Sequence, residues 1–274
     1  VRLWDGHTLE PKGVLRGHQD LVIAIGFSPD GTRLVSAGRD PDLLVWDVAE
    51  RRLIARLKGN PALARQVEFL PDGQSFLTAG NDQVIRQWHL KPNPRGPEVR
   101  TISEPDQMVL LTAAEDHYLL GNRDQDQFRV FRLRDHVEIT SGQFSPESIS
   151  GAVHVGRQGE LTTAELHPDG RLRWKSSASG TEVEVRAPDW IPLTSRLTTG
   201  MDFSPDGKYL ATSDSLNGIV LWRLADRTLL TRVDLRPLST FRFAFGGRWL
   251  VAASAHGRIV AIDIETGQQR ELAK

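Results

Sequence analysis

The chain contains no cysteine among its 274 residues. That single absence excludes disulfides, thiolate zinc sites, iron–sulfur ligation and a cysteine nucleophile. No apolar run reaches the roughly eighteen residues that a membrane-spanning helix needs. No N-terminal stretch joins a charged start, an apolar middle and a small-residue cleavage site, so no secretory signal is legible. Excess charge is missing too: 34 basic residues face 35 acidic ones, for a formal net charge of −1. This excludes the strongly basic footprint of a dedicated nucleic-acid binder and the polybasic patch of a membrane-surface protein. Lysine is scarce, six residues, which leaves twenty-eight of the basic positions to arginine. Such a bias suits a GC-rich, bacterial genome. Helix-length segments with a 3.6-residue apolar period are absent as well. What remains is ordinary globular material, 39% hydrophobic and 25% charged, outside the disordered range. These features lead us to expect a cytoplasmic protein. The first residue is Val1 rather than Met, and we expect more polypeptide upstream.

What the chain does have is a repeat. The apolar segments Val1-Arg2-Leu3-Trp4, Leu43-Leu44-Val45-Trp46 and Val84-Ile85-Arg86-Gln87-Trp88 place tryptophans 42 residues apart, twice. Continuing in phase reaches Phe131, Trp174, Trp222 and Ile262, at intervals of 43, 43, 48 and 40. Five of the seven tryptophans in the chain occupy these positions. Each period carries four short strand-like segments. In the first full one, Val22 to Phe27 alternates before the turn Ser28-Pro29-Asp30-Gly31. Leu34 to Ala37, Leu43 to Asp47 and Leu53 to Leu57 follow. Pro fixes φ, Asp caps locally and Gly accepts positive φ, so Pro-Asp-Gly suits a tight turn. Four strands per 40–45 residues, repeated, predict an all-β fold, a β-propeller of four-stranded antiparallel blades.

The pairs Gly17-His18, Trp46-Asp47 and Trp4-Asp5, with the turns Ser28-Pro29-Asp30-Gly31, Leu70-Pro71-Asp72-Gly73 and Ser204-Pro205-Asp206-Gly207, make the chain resemble the WD-repeat β-propeller family. The resemblance covers essentially the whole chain. It is strongest in residues 1–90 and 197–224 and degenerate in 104–188, where Phe131 replaces tryptophan and His167-Pro168-Asp169-Gly170 falls between second and third strands. The expected organisation is one propeller domain: a half blade at 1–18 and full blades at about 19–59, 60–103, 104–143, 144–188, 189–235 and 236–274. Two strands of a seventh blade are then wanting. The expectation is that a longer protein supplies them before Val1 and closes a seven-bladed ring, since an open ring leaves strand edges unpaired.

By the same resemblance, a His, a Ser or Thr, an Asp and the Trp form a hydrogen-bonded network within a blade. Here they are His18, Ser36, Asp40 and Trp46. The next blade keeps Thr78, Asp82 and Trp88, with Asn60 at the histidine position. The blade ending in Trp222 keeps Thr212, with the Asp position disturbed around Leu216. His, Ser and Asp together also spell a hydrolase triad. The structural reading is preferred, because a triad needs an exposed nucleophile and a buried network only needs its polar groups satisfied. No phosphate-binding loop, dinucleotide fingerprint or His-Glu-x-x-His motif is present. The eight histidines lack metal-ligand spacing, and Asp124-Gln125-Asp126 lacks the glycine and distant carboxylate of a calcium loop. We therefore assign no catalytic residue, metal or cofactor.

The surfaces carry the functional expectation. Family resemblance points the residues flanking the start of each first strand, and the one before the turn Asp, at the top opening. They are Leu21, Ile23 and Arg39, then Leu63, Arg65 and Asn81, and in later blades Leu197, Thr199, Ser239 and Phe241. Apolar contacts with interspersed arginine are what interface centres use. Arg39 and Arg65 suit a two-pronged grip on a carboxylate or phosphate. The commoner fate of an exposed arginine is solvation or a weak pair with a neighbouring acid. Trp190, out of phase in Pro188-Asp189-Trp190-Ile191-Pro192, reads either as a partner anchor or as a cover for a degenerate blade. Lys91 to Pro97 reads as a solvated, proline-rich spacer on the opposite face.

The sequence thus predicts a non-catalytic interaction scaffold, or the regulatory or sensor domain of a larger signalling protein. Its partners are a protein or peptide held on the top face and other domains of the same polypeptide, not nucleic acid or membrane. The alternative is a small-ligand-binding or enzymatic propeller using its central channel. An architectural subunit held through its blade sides is a third class. The alternation of Leu53, Ala55 and Leu57 with Arg52, Ile54 and Arg56 gives that class no special support.

Overall fold

A strand that alternates apolar and polar residues needs partners on its edges and cover on its apolar side, and this repeat supplies both locally. Short polar turns return each strand antiparallel to its predecessor. The computed structural model is accordingly all-β. It describes residues 1–58, 63–82, 84–90, 98–101, 113–114, 117–122, 127–132, 137–156, 160–187, 200–214, 218–244 and 246–273. No helix occurs among the described residues, so none is long and apolar enough to cross a membrane, a statement that is silent about β-barrels.

The strands fall into two units. The first comprises Val1–Asp5 and Pro11–Gln143. It opens with a two-stranded sheet, β1 (Arg2–Trp4) and β2 (Pro11–Val14). Three four-stranded antiparallel sheets follow. They are β3 (Val22–Phe27), β4 (Arg33–Gly38), β5 (Leu43–Asp47) and β6 (Arg52–Leu57); β7 (Ala64–Phe69), β8 (Ser75–Gly80), β9 (Ile85–His89) and β10 (Glu98–Thr101); and β11 (Ala113–Ala114), β12 (His117–Asn122), β13 (Gln127–Arg132) and β14 (Glu138–Gln143). The second unit comprises Gly6–Glu10 and Phe144–Lys274. Its sheets are β15 (Ser150–Val155), β16 (Leu161–Leu166), β17 (Arg171–Ser176) and β18 (Glu182–Arg186); β19 (Gly200–Phe203), β20 (Tyr209–Asp214), β21 (Gly218–Arg223) and β22 (Thr228–Val233); and β23 (Leu238–Ala244), β24 (Trp249–Ser254), β25 (Ile259–Asp263) and β26 (Gln269–Ala273). Strand order follows chain order in every sheet, as in the blades of a β-propeller. Arg270 of β26 ties down the Gly6–Glu10 segment through the Thr8 carbonyl and, at 2.8 Å, the Glu10 carboxylate.

Both faces of a central strand are buried, so these strands read as apolar runs rather than clean alternations. In the first unit Val35, Ala37, Leu43 and Val45 pack with Val67, Phe69, Phe76 and Trp88. On the opposite face of β4 and β5, Leu34, Leu44 and Trp46 pack with Leu3 and Leu15. In the second unit Leu210, Val220 and Trp222 join Leu166, Leu172 and Trp174, while Ala211, Ile219 and Leu221 join Phe241, Leu250 and Ile262. The in-phase tryptophans Trp46, Trp88, Trp174 and Trp222 are all buried. At 150–250 Å² per aromatic, each contributes about 4–6 kcal/mol of gross hydrophobic stabilisation. Phe131, which takes the tryptophan position in β13, is only half-buried and lies under the Arg129 guanidinium, 5.0 Å from its carbon.

The Ser-Pro-Asp-Gly turns work through their side chains. Ser28 Oγ donates to Asp30 Oδ1 at 2.5 Å and accepts from the Arg33 N–H, while Asp30 also accepts from the Thr32 N–H. Gly31 supplies the positive φ of 69°. These bonds from Ser28 and Thr32 hold the Asp30 carboxyl down at about 2. Ser204 and Asp206 repeat the motif, with Ser204 Oγ donating to Asp206 Oδ1 at 2.7 Å. His167 to Gly170 forms its turn between β16 and β17, where the sequence put it.

Candidate functional site

One backbone device builds the rim at the start of the first strands. Ladder register slips by a residue between Val22 and Ala24 in β3, between Ala64 and Gln66 in β7, and between Leu238 and Thr240 in β23. Each slip is a β-bulge, and its extra residues are Ile23, Arg65 and Ser239. A bulge leaves one residue unpaired and re-aims its side chain. One turn of chain away, a backbone bond closes each rim: Arg39 N–H to the Leu21 carbonyl, Asn81 N–H to Leu63, and Ala255 N–H to Pro237. The approach is so close at the first of these that a Cβ on Gly38 would lie 2.2 Å from the Leu21 oxygen.

The first unit brings six of the expected residues to matched rim positions. Leu21 is 57% exposed, Arg39, Arg65 and Asn81 are exposed, and Ile23 and Leu63 are half-buried. Arg65 Nε donates to Asn81 Oδ1 at 2.5 Å. Among the described residues neither Arg39 nor Arg65 has an acidic partner, and the Arg39 side chain makes no hydrogen bond. Of the two ordinary fates expected for these arginines, Arg39 takes solvation rather than a pair with an acid, and Arg65 bonds the neutral Asn81. Asp20 is occupied by the Leu21 N–H, Asp40 by His18, and Asp82 by Arg86 at 2.6 Å.

Phe241 is a correction. It is 5% exposed, pairs with Ala252 and packs into the core of the second unit. The bulge explains the error: Ser239 is the counterpart of Ile23 and Arg65, so Phe241 is the counterpart of Ile25, two residues further along the strand. Ser239 itself is exposed. Trp190, Leu197 and Thr199 lie outside the described residues, as do Asn60, Leu216, Asp124 to Asp126 and the Lys91 to Pro97 loop.

The buried network is complete in the first full sheet. Trp46 Nε1–H donates to Ser36 Oγ at 2.7 Å, the Ser36 hydroxyl donates to His18 Nε2 at 2.6 Å, and His18 Nδ1–H donates to Asp40 Oδ2 at 2.5 Å. These proton positions are assigned from the partners: the Trp46 indole only donates and the Asp40 carboxylate only accepts, so Ser36 and His18 between them each do both. Burial pushes the Asp40 carboxyl up, but the bonds from His18 and the Gln19 N–H outweigh it and hold it below the usual carboxylate range. Ser36 is fully buried, so it cannot meet a substrate as a nucleophile must. In the next sheet Trp88 donates to Thr78 at 2.9 Å, while Asp82 pairs with Arg86 instead of a histidine. Thr212 is a second correction. It holds the same register, yet Trp222 Nε1 has no hydrogen-bond partner.

Titratable groups elsewhere do not converge on a metal. No group of three or more His, Asp or Glu with that geometry occurs among the described residues. Two isolated groups escaped the sequence reading. Burial drives the Asp202 carboxyl up to about 6, although Arg242 lies 4.0 Å away and opposes the shift. His167 is buried with both ring nitrogens unpartnered, and Glu165 stands 3.9 Å off.

Against known families, the WD domain, G-beta repeat model matches residues 9–47 and 51–89. The model described as outer membrane protein assembly factor BamB matches residues 134–274. Among curated proteins, the 66 kDa stress protein of Physarum polycephalum is 44% identical over 48 residues, 18% of this chain and 8% of that protein. The small ribosomal subunit protein RACK1y of Oryza sativa subsp. japonica is 34% identical over 57 residues, 21% of this chain and 17% of that protein. The transcription initiation factor TFIID subunit 5 of Caenorhabditis elegans is 38% identical over 55 residues, 20% of this chain and 8% of that protein. The matched stretches thus span between 8% and 17% of these relatives' own lengths. All three are eukaryotic and do not bear on the bacterial origin expected from the arginine bias.

Proposed function

Because the chain belongs to the WD-repeat β-propeller family, we propose that it is a non-catalytic recognition platform that holds a partner protein or peptide on the bulged rim of its first strands. The observation that carries this reading is the pair Arg39 and Arg65. Both are exposed and have no acidic partner among the described residues, and they lie beside the exposed Leu21 and the half-buried Ile23 and Leu63. Cations left unpaired next to apolar side chains suit a carboxylate or phosphate flanked by an apolar residue. The bulges fix the rim backbone, so binding loses little conformational freedom there.

Two further features support the setting. Two of the relatives are named as subunits of larger assemblies, a ribosomal subunit and a transcription initiation factor. The matched stretches are small parts of longer proteins, in keeping with a regulatory or sensor domain of a multidomain signalling protein. The absence of cysteine is compatible with a cytoplasmic location. The functional reading is tested by affinity capture with the wild-type chain and with Arg39→Glu/Arg65→Glu, after circular dichroism and melting show both folded. A partner held by the wild type and lost by the variant is the expected result. Capture indifferent to the variant moves the interface off this rim, and capture of nothing overturns the reading.

A further inference from the structure

Among the described residues, every sheet ends in a strand that pairs on one side only, which leaves its other side an open edge. Such edges are commonly blunted by charge, because cations set against each other oppose pairing with a second chain. Six of these seven last strands follow that rule. They carry Lys12 in β2, Arg52 in β6, Arg100 in β10, Arg186 in β18, Arg232 in β22 and Arg270 in β26. β14 is the exception: Glu138-Ile139-Thr140-Ser141-Gly142-Gln143 contains no Lys or Arg. Its one charge is spent within the sheet. Arg129 Nε donates to Glu138 Oε2 at 2.8 Å, and the same guanidinium lies over the Phe131 ring.

β6 and β14 make a matched comparison. Ladder slips at Val45/Trp46 and at Val130/Phe131 make Ile54 of β6 and Ile139 of β14 the extra residues of equivalent bulges. Their exposures are alike, 45% and 43%. Their neighbours are not. Ile54 is flanked by Arg52 and Arg56, both exposed and without an acidic partner among the described residues. Ile139 is flanked by the exposed Val137 and Ser141. A bulge also blunts an edge, but here it guards only the start of the strand. Beyond it Thr140 to Gln143 pairs with Val130 to Gln127 without a further slip.

We propose that β14 is a self-association edge, through which two copies of the chain pair antiparallel over Ile139–Gln143 about a two-fold axis at Ser141. The chemistry of the strand selects a second copy as its occupant. Antiparallel pairing about a two-fold axis sets the donors of an edge against the acceptors of its copy, so the backbone is complementary to itself. About Ser141, Thr140 meets Gly142 of the copy, Ile139 meets Gln143, and no charge meets a like charge. The same operation on β6 about Ala55 sets Arg52 against Lys58 and Ile54 against Arg56, a pairing that cation repulsion opposes. So short a paired segment is a small interface, which places the association in the micromolar range.

Sedimentation equilibrium of the chain between about 1 and 200 μM tests this. The expected result is a reversible monomer–dimer equilibrium, with the Thr140–Gln143 amides exchanging severalfold more slowly at the high concentration than at the low one. Ser141→Lys and Ile139→Lys, each shown folded by circular dichroism, should raise the dimer Kd at least about tenfold, whereas Ile54→Lys should leave it unchanged. A chain that stays monomeric to 200 μM overturns the proposal. So does a dimer whose Kd Ser141→Lys raises no more than Ile54→Lys does, because its interface lies elsewhere. If the β14 variants do not fold, the parent decides: protection that rises with concentration in other strands and not in β14 overturns the proposal as well.

Discussion

Ser36 is the middle of the buried chain Trp46–Ser36–His18–Asp40, and Ser36→Ala removes one acceptor and one donor at once. The indole N–H of Trp46 and Nε2 of His18 are then left without partners in a site closed to water. Each orphaned buried group costs about 1–3 kcal/mol, so the substitution should cost about 2–5 kcal/mol. For a chain of this size that corresponds to a fall in Tm of about 5–15 °C. Two internal controls grade the argument. Thr78→Val orphans only the Trp88 indole, since no histidine bond to Thr78 is present, and should cost about 1–3 kcal/mol. Thr212→Val orphans nothing, because Trp222 Nε1 is already unpartnered, and should cost less than about 1 kcal/mol. Urea unfolding followed by tryptophan fluorescence measures all three. Equal losses at positions 36 and 212 would show that hydroxyl packing, not the hydrogen-bonded chain, sets the cost, and would refute the reasoning.

Gly38→Ala forces a Cβ to within 2.2 Å of the Leu21 carbonyl and should both destabilise the first unit and abolish rim binding; a variant with unchanged melting contradicts that close approach. Asp202 gives a pH signature. Its folded pKa of about 6 lies above its ordinary value, so the native state binds the extra proton and stability falls as pH rises from about 4 to 6. Asp202→Asn should therefore be more stable than wild type at pH 7 by about 1–3 kcal/mol, with the difference vanishing below about pH 4; a constant difference across that range rules the shift out. Arg39→Glu/Arg65→Glu should weaken partner binding by tenfold or more with Tm within about 2 °C of wild type, since neither side chain has an acidic partner to lose among the described residues.

The fold was legible because its signal is periodic: the in-phase tryptophans mark third strands, and their spacing survives even where Phe131 stands in. The His18, Ser36, Asp40 and Trp46 set was legible through the family resemblance, which implies a bonded network of those residue types within a blade. The rim was only partly legible. Leu21, Arg39, Arg65 and Asn81 come out exposed, but Phe241 does not, because Ser239 rather than Phe241 holds the bulge position of Ile23 and Arg65, and sequence alternation alone does not locate the bulge that sets this phase. The burial of Asp202 and of His167 left no signal, although His167 was placed in its turn. Each is a lone polar residue in a turn or strand of ordinary composition, and what distinguishes it is burial by residues distant in sequence.

The bulges also separate two kinds of heredity within one strand. Within each of these strands only the bulge residue leaves the ladder: Ala64 before the slip and Val67 after it both belong to the core, while Arg65 between them is exposed. Ile23, Arg65 and Ser239 occupy the same bulge position with an aliphatic, a cation and a hydroxyl, yet the ladder beyond each resumes with the same facing. The side chain at the bulge can therefore change in kind without disturbing the pairing of the ladder on either side of it.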